Sequence, residues 1–194
     1  MSIDGLPLTP PHIPAAERGD AARNRAALLD AARRLIAESG ADALTMDDLA
    51  RAAGVGKGTV FRRFGSRAGL MAALLDEDER ANQQAFLFGP PPLGPAASPL
   101  DRLLAFGAAR IRFAQTHHAL LSAAGHSHPA ARVLHTHVRL LLRAAGTTGD
   151  LDAQTDALLA LLDARYVAHR LATGRSVDQM ITAWQDVARK LCGR

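Results

Sequence analysis

The chain has 194 residues, of which 48% are hydrophobic and only 4% are aromatic. It is long enough to bury a core, and its apolar content fits a globular protein. The formal net charge of +4 is compatible with a polyanionic partner, and the single cysteine excludes an intramolecular disulfide. No uninterrupted run of about 18 apolar residues exists, so we predict a cytoplasmic protein without a membrane-spanning helix.

The helical spacing of apolar residues and the excess of alanine and leucine predict an all-α fold of about nine helices. The first 19 residues contain four prolines and are predicted to form a flexible N-terminal arm. Asp20 is the predicted cap of a first helix, which ends before Gly40. The further predicted helices cover 46–53, 56–64, 66–86, 99–111, 119–124, 129–146, 151–172 and 177–191.

Two short helices are predicted on either side of a glycine turn at Gly54. Thr45 is a typical N-cap for the first of them, and Asp48 stands three residues later, as in a capping box. Between Arg51 and Leu70 the chain has five cationic residues and no acidic one. A short helix pair whose second helix is cationic is typical of proteins that read the DNA major groove. The segment therefore predicts a DNA-binding protein.

The same segment, over about residues 22–75, resembles the DNA-binding domain of the tetracycline-repressor-like (TetR) transcriptional regulators. The residues that carry the resemblance are Thr45, Leu49-Ala50, Ala53-Gly54-Val55, Lys57-Gly58-Thr59, Phe61, Phe64, Ser66, Arg67 and Leu70. The resemblance implies a helix-turn-helix DNA-binding domain at 20–65, followed by a helical effector-binding and dimerisation domain at 66–194. It also implies a bacterial regulator rather than an enzyme. Gly56 stands where the family often has a serine, so we expect the second short helix to lack a side-chain cap.

The second short helix is predicted to enter the major groove. Lys57, Thr59 and Arg62 are candidates for contacts with base edges or flanking phosphates, while Gly58 lets the backbone approach closely. The resemblance implies that Thr45, Phe61 and Arg67 contact or brace the DNA backbone. Arg23 and Arg25, at the start of the first helix, are candidates for phosphate or minor-groove contacts. The predicted DNA-binding set is Thr45, Gly56, Lys57, Gly58, Thr59, Phe61, Arg62, Arg63, Arg67, Arg23 and Arg25.

Six of the eight histidines fall between His117 and His137, which raises the question of a metal site. Their spacing does not suit one, because His135 and His137 point to different sides of a helix. We therefore predict neither a metal nor a cofactor, and we keep a metal- or pH-sensing regulator as an alternative. A less favoured alternative is an all-helical metal-dependent enzyme. The predicted effector-binding residues, which are polar or aromatic among apolar helical positions, are Arg110, Phe113, His117, His118 and His137.

The predicted helices at 151–172 and 177–191 are apolar over more than a narrow stripe. Because the TetR family forms its dimer through its last two helices, the resemblance implies that these helices pair between two copies. The alternative is that they are simply buried in a larger core of one copy. The predicted interface residues are Leu158, Leu162, Tyr166, His169, Ile181 and Trp184. Together these features predict a repressor that binds a palindromic double-stranded DNA operator as a homodimer and is released by a small-molecule effector of unknown identity.

Overall fold

The computed structural model describes residues 15–118, 120–121 and 131–193. The chain divides into two compact units, with the division between Gly65 and Ser66. We call the first unit the head and the second the body. All regular structure in the described residues is helical, which confirms the predicted all-α class, and none of those helices is long and apolar enough to cross a membrane.

The described residues of the head form three helices, α1 (Ala15–Ser39), α2 (Met46–Ala52) and α3 (Lys57–Phe64). Its core is made by apolar side chains from all three helices, namely Leu28, Leu29, Leu49, Val60 and Phe64, each at most 8% exposed. The prediction that the first helix starts after Asp20 is wrong, because α1 already includes residues 15–19. No proline lies between Pro14 and Gly40, and alanine and glutamate are good helix formers, so nothing stops the helix from starting earlier. The rest of the predicted arm, residues 1–14, lies outside the described residues.

The body contains the remaining described helices, which are α4 (Arg67–Phe88), α5 (Pro99–Thr116), α6 (Ala131–Ala144), α7 (Leu151–Ala160), α8 (Ala164–Ala172) and α9 (Val177–Leu191). Helix α5 is central, since it packs against α6, α8 and α9. The body core surrounds it and includes Phe86, Phe106, Leu142 and Trp184. Most of these helices begin at a capping side chain; for α9, Ser176 and Gln179 form a complete capping box.

The single helix predicted over 151–172 is wrong, because α7 and α8 are separate helices. The break falls at 161–163, where the carboxylate of Asp163 accepts hydrogen bonds from the backbone N–H groups of Arg165 (3.0 Å) and Tyr166 (3.1 Å). An aspartate that bonds to the backbone in this way favours a helix start over a helix interior. The predicted helix at 119–124 lies mostly outside the described residues. Within that range the structure describes Leu120 and Leu121, and both are helical.

Candidate nucleic-acid interface and effector region

The head contains two short helices that meet at a tight turn. Thr45 caps α2, since its hydroxyl oxygen accepts from the Asp48 backbone N–H at 3.1 Å, and the same hydroxyl donates to the Asp48 carboxylate at 2.6 Å. Gly54 has φ of +65°, the left-handed conformation that lets the chain leave α2 and start α3 within a few residues. The turn is closed by a bond from Val55 N–H to the Ala50 carbonyl at 3.0 Å.

Helix α3 has one buried side and one exposed side. Val60 and Phe64, four residues apart, are buried in the head, whereas Lys57, Gly58 and Arg62 are exposed. Gly56 is the N-cap residue and makes no side-chain cap bond, which confirms the expectation from the sequence. The helix thus presents its cations and its small residue to solvent while its apolar residues hold it in place.

The exposed aromatic and basic side chains of α3 are arranged by contacts within the head. The Lys57 ammonium lies 5.7 Å from the centre of the Phe61 ring, which is itself 40% exposed. Arg63 donates to the backbone carbonyl of Ala21 at 2.7 Å and so ties α3 to α1. Arg25 of α1 lies over the Phe64 ring at 5.5 Å.

One shallow depression on the head brings together basic side chains from α1 and α3. It is lined by Arg25, Thr59, Arg62 and Arg63. Three guanidinium groups around one hydroxyl form a surface that suits a phosphate oxygen, because guanidinium and hydroxyl groups both donate hydrogen bonds to it. Arg23, on the same helix as Arg25, instead pairs with Asp20 one turn before it.

The positive charge of the head is partly neutralised by α2, which the sequence analysis did not anticipate. The acid-free run begins at Arg51, but Asp47 lies just before it and its carboxylate is 2.8 Å from the Lys57 ammonium. Asp48 likewise pairs with Arg51 at 2.9 Å. A hydrogen bond from the Thr45 hydroxyl has the largest effect on the Asp48 carboxyl group, and a hydrogen bond from the Arg51 guanidinium has the next largest. Both hold the pKa of Asp48 below its ordinary value. Only the helix packing brings Asp47 to Lys57, ten residues away, so no local pattern announces this contact.

Arg67, the last predicted DNA contact, begins α4 in the body and is half-buried. The preceding Ser66 caps this helix by accepting from the Gly69 backbone N–H at 3.1 Å. Ser66 and Arg67 therefore lie where the chain passes from one unit to the other.

Comparison with known proteins agrees with this geometry. Residues 28–74 match the model of a family described as bacterial regulatory proteins, tetR family. Over these residues the chain is similar to the TetR family. No curated protein matches the chain.

Solved structures of transcriptional regulators share the fold over most of the chain. A TetR/AcrR regulator from Thermobifida fusca superposes with a TM-score of 0.67 at 18% identity, covering 86% of this chain and 96% of its own. A regulator from Saccharomonospora viridis solved in complex with choline gives 0.61 at 21% identity, with coverage of 85% and 95%. A further regulator from Rhodococcus sp. RHA1 gives 0.62 at 19% identity, with coverage of 86% and 94%. At such identities the likeness shows the TetR fold alone.

In the body of this TetR-fold protein, three predicted effector residues lie together on α5. The Phe113 ring contacts the Arg110 guanidinium at 4.5 Å and stacks on the His117 imidazole at 4.1 Å between centres. Both polar members are bonded to α4, since Arg110 pairs with buried Glu79 at 2.8 Å and His117 with Asp78 at 3.1 Å. Their polar groups are thus satisfied by one another, and the arrangement joins α4 to α5.

The other two predicted effector residues are elsewhere. His118 is exposed and its Nδ1 bonds to the Gln115 carbonyl at 3.1 Å. His137 is 6% exposed and lies against two aromatic rings, with its centroid 4.4 Å from that of Phe86 and 5.1 Å from that of Phe106. Burial, and then the nearby charge of Arg102, lower the pKa of His137 to about 4.

In the described part of the chain, the histidine side chains do not converge on one point. There His135 faces Asp156 at 3.3 Å while His137 enters the aromatic cluster, so the two diverge as their spacing predicts. Within the same residues, no three histidine, cysteine or acidic side chains are grouped as a metal would need. His126 and His128 lie outside the described residues.

The predicted interface residues divide into two groups. Leu158, Ile181 and Trp184 are at most 8% exposed and serve the core of their own protomer, with Trp184 Nε1 donating to the Leu158 carbonyl at 3.0 Å. This matches the alternative in which the last helices cover a larger core. Tyr166 is 40% exposed, His169 is exposed and Leu162 is half-buried. These last three are the members of the set that a partner can reach.

Proposed function

We propose that this protein is a ligand-responsive transcriptional repressor that binds a palindromic DNA operator as a homodimer in the bacterial cytoplasm and is released by a small organic effector. The observation that carries the proposal is the exposed, cationic side of α3, held by a buried apolar side within a TetR-family head. A helix presented in this way fits the major groove, where side chains reach base edges.

Individual contacts follow from exposure and chemistry. Arg62 is exposed and has no hydrogen-bond or ion-pair partner among the described residues, so its guanidinium is available to the N7 and O6 atoms of a guanine. Gly58 has no protein atom near the position of a Cβ, which leaves its backbone open to close approach by DNA. The hydroxyl of Thr59 and the guanidinium groups of Arg25 and Arg63 beside it suit phosphate oxygens. The ammonium of Lys57 does so too.

A second copy is required because α3 is short. Its 8 residues span about 12 Å at 1.5 Å per residue, which reaches only a few base pairs. Two copies related by a two-fold axis read two half-sites and so double the recognised sequence. The exposed side chains of α8 and α9, Tyr166 (40%) and Val187 (37%), support an interface there that is smaller in apolar area than the sequence alone implied.

Release by an effector requires that the effector bind the DNA-competent dimer and another arrangement with different affinities. The body provides the helical core in which such a molecule would bind. An organic effector is favoured over a metal because the polar residues of α5 are bonded to α4 rather than directed at a common point.

The test is selection of a binding sequence from random duplex DNA, followed by fluorescence anisotropy with the selected duplex. Arg62→Gln should weaken binding roughly tenfold or more, since one good base contact contributes about 1–3 kcal/mol of discrimination. Arg112→Gln is the matched control, because it likewise removes an exposed cation, here from α5 in the body. Equal losses in both variants, or no enrichment of any sequence, would contradict the proposal.

A further inference from the structure

A groove in the body lies beside the α4 end and runs along α6. It has a volume of about 310 Å³, equivalent to roughly ten water molecules. Its wall on α6 is open to solvent, since Leu140 is 54% exposed. The residues that line it are Leu87, Arg132, Val133, Thr136, His137 and Leu140.

The groove is polar at one end and apolar at the other. Arg132 and Thr136 are four residues apart on α6 and so share one face, and Leu140 continues the same face one turn further on. Leu87 and Val133 add apolar surface. None of the described lining residues is acidic, and Arg132 makes no hydrogen bond or ion pair within the described chain.

Behind the groove lie two buried polar atoms without a hydrogen-bond partner among the described residues, Nε of Arg102 and Nε2 of His137. Both side chains adjoin Phe86, since Arg102 donates to the Phe86 carbonyl at 3.4 Å and the His137 ring lies against the Phe86 ring. Buried polar atoms nearly always have a partner, so a pair without one points to a group that is supplied from outside the fold.

The charges of this region favour an anion. Arg132 lines the groove, and the His137 imidazole beside it is neutral at physiological pH. Its pKa is lowered to about 4 by burial and by the nearby charge of Arg102. A carboxylate in the groove meets the guanidinium of Arg132 and the hydroxyl of Thr136. The His137 imidazole gains a proton more readily beside such a negative charge. A neutral head group gains only hydrogen bonds, without the attraction between opposite charges, and a cationic head group is repelled by the arginines.

We propose that this groove is the effector site and that it takes a small amphiphilic organic acid, with the carboxylate at Arg132, Thr136 and His137 and the apolar tail on Leu87 and Leu140. The inference rests on the proposed function in one respect, namely that a ligand of the body changes DNA affinity. The site differs from the Arg110–Phe113–His117 arrangement, whose polar groups are already bonded to α4.

The first experiment measures binding to the full-length protein without DNA by isothermal titration calorimetry, with octanoate as the probe. Octanoate should bind once per chain and at least tenfold more tightly than octanamide, which has the same tail and no charge. Arg132→Gln should lower octanoate affinity about tenfold, whereas Arg143→Gln on the same helix should not. Leu140→Ser, at an exposed position, should weaken octanoate and octanamide alike.

A second readout is the His137 imidazole, whose pKa followed by proton NMR should rise when octanoate is bound. Absence of octanoate binding, equal affinity for octanamide, or an Arg132→Gln variant that binds like the wild type would each overturn the proposal. Circular dichroism melting of every variant shows whether the fold is retained.

The final experiment adds octanoate to the complex with selected DNA and separates the two hypotheses. Release of DNA by octanoate, lost in Arg132→Gln, supports both. Octanoate binding in a protein that selects no DNA sequence contradicts the proposed function and leaves the groove as an acid-binding site. Sequence-specific DNA binding that octanoate leaves unchanged overturns the assignment of the groove as the effector site.

Discussion

Gly107, in the middle of α5, is a position where the addition of one methyl group is expected to destabilise the body. A Cβ added there would lie 2.6 Å from Cδ2 of the Trp184 ring and still closer to its Cε3 and Cζ3 atoms. The indole cannot move aside, because it is 2% exposed and its Nε1 is bonded to the Leu158 carbonyl at 3.0 Å. Gly107 therefore lets α5 and α9 approach closely enough to enclose the ring.

The expected effect of Gly107→Ala is the sum of two opposing contributions. Alanine is favoured over glycine in a helix by about 1 kcal/mol. Forcing a methyl group into a packed core costs about 1–3 kcal/mol, and overlap with three ring atoms of a fixed indole places this case at the upper end. We expect a net loss of about 2 kcal/mol, which lowers the Tm by roughly 4–8 °C in a chain of this length.

The assay is thermal and urea denaturation at one fixed protein concentration, since association would make the Tm concentration-dependent. Gly58→Ala in α3 is the matched control, because no atom lies within 4 Å of its added Cβ and the same change should stabilise the head by up to about 1 kcal/mol. Trp184→Leu should itself be destabilising, but it should remove most of the additional loss caused by Gly107→Ala. A Gly107→Ala variant as stable as the wild type would refute the packing argument.

Four further outcomes are expected. Affinity for the selected operator should fall linearly with salt on a log–log plot, with a slope of about 0.9 per phosphate neutralised, and Lys57→Ala should flatten it; a wild type insensitive to salt would contradict this. Asp47→Asn removes the counter-ion 2.8 Å from Lys57 and should tighten binding to random duplex DNA, so unchanged nonspecific affinity would show that the pair is irrelevant. His137 has a folded-state pKa of about 4 against 6.5 ordinarily, so the unfolded chain takes up its proton first. Stability should thus decline as pH falls from 6.5 towards 4, and this decline should be smaller in a folded His137→Gln variant. Leu162→Glu combined with Tyr166→Glu should give a folded monomer by light scattering that has lost operator binding, and persistence of a dimer would move the interface elsewhere.

Much of the fold was predictable from the sequence because its signals are local. A capping threonine, a glycine turn and apolar residues at helical spacing determine α2 and α3 within about twenty residues, and Ser66 starts the next helix in the same way. The break between α7 and α8 was equally local, since Asp163 caps the second helix, but the apolar periodicity on both sides obscured it. Local capping hydrogen bonds therefore explain why α2 and α3 were predicted correctly. They also set the break between α7 and α8, which was missed.

By itself, the sequence determined the helical class, the helix-turn-helix segment and the cationic character of α3, because each depends on residues that are neighbours along the chain. Tertiary structure alone decided which groups meet when they are distant along the chain. Asp47 reaches Lys57 only through the packing of α2 on α3, and Trp184 is enclosed only because Gly107 admits it. The pKa of His137 is lowered only because the ring is buried against aromatic rings and near Arg102. These contacts join positions between 10 and 77 residues apart, and the distance and burial that set their energies exist only once the helices have packed.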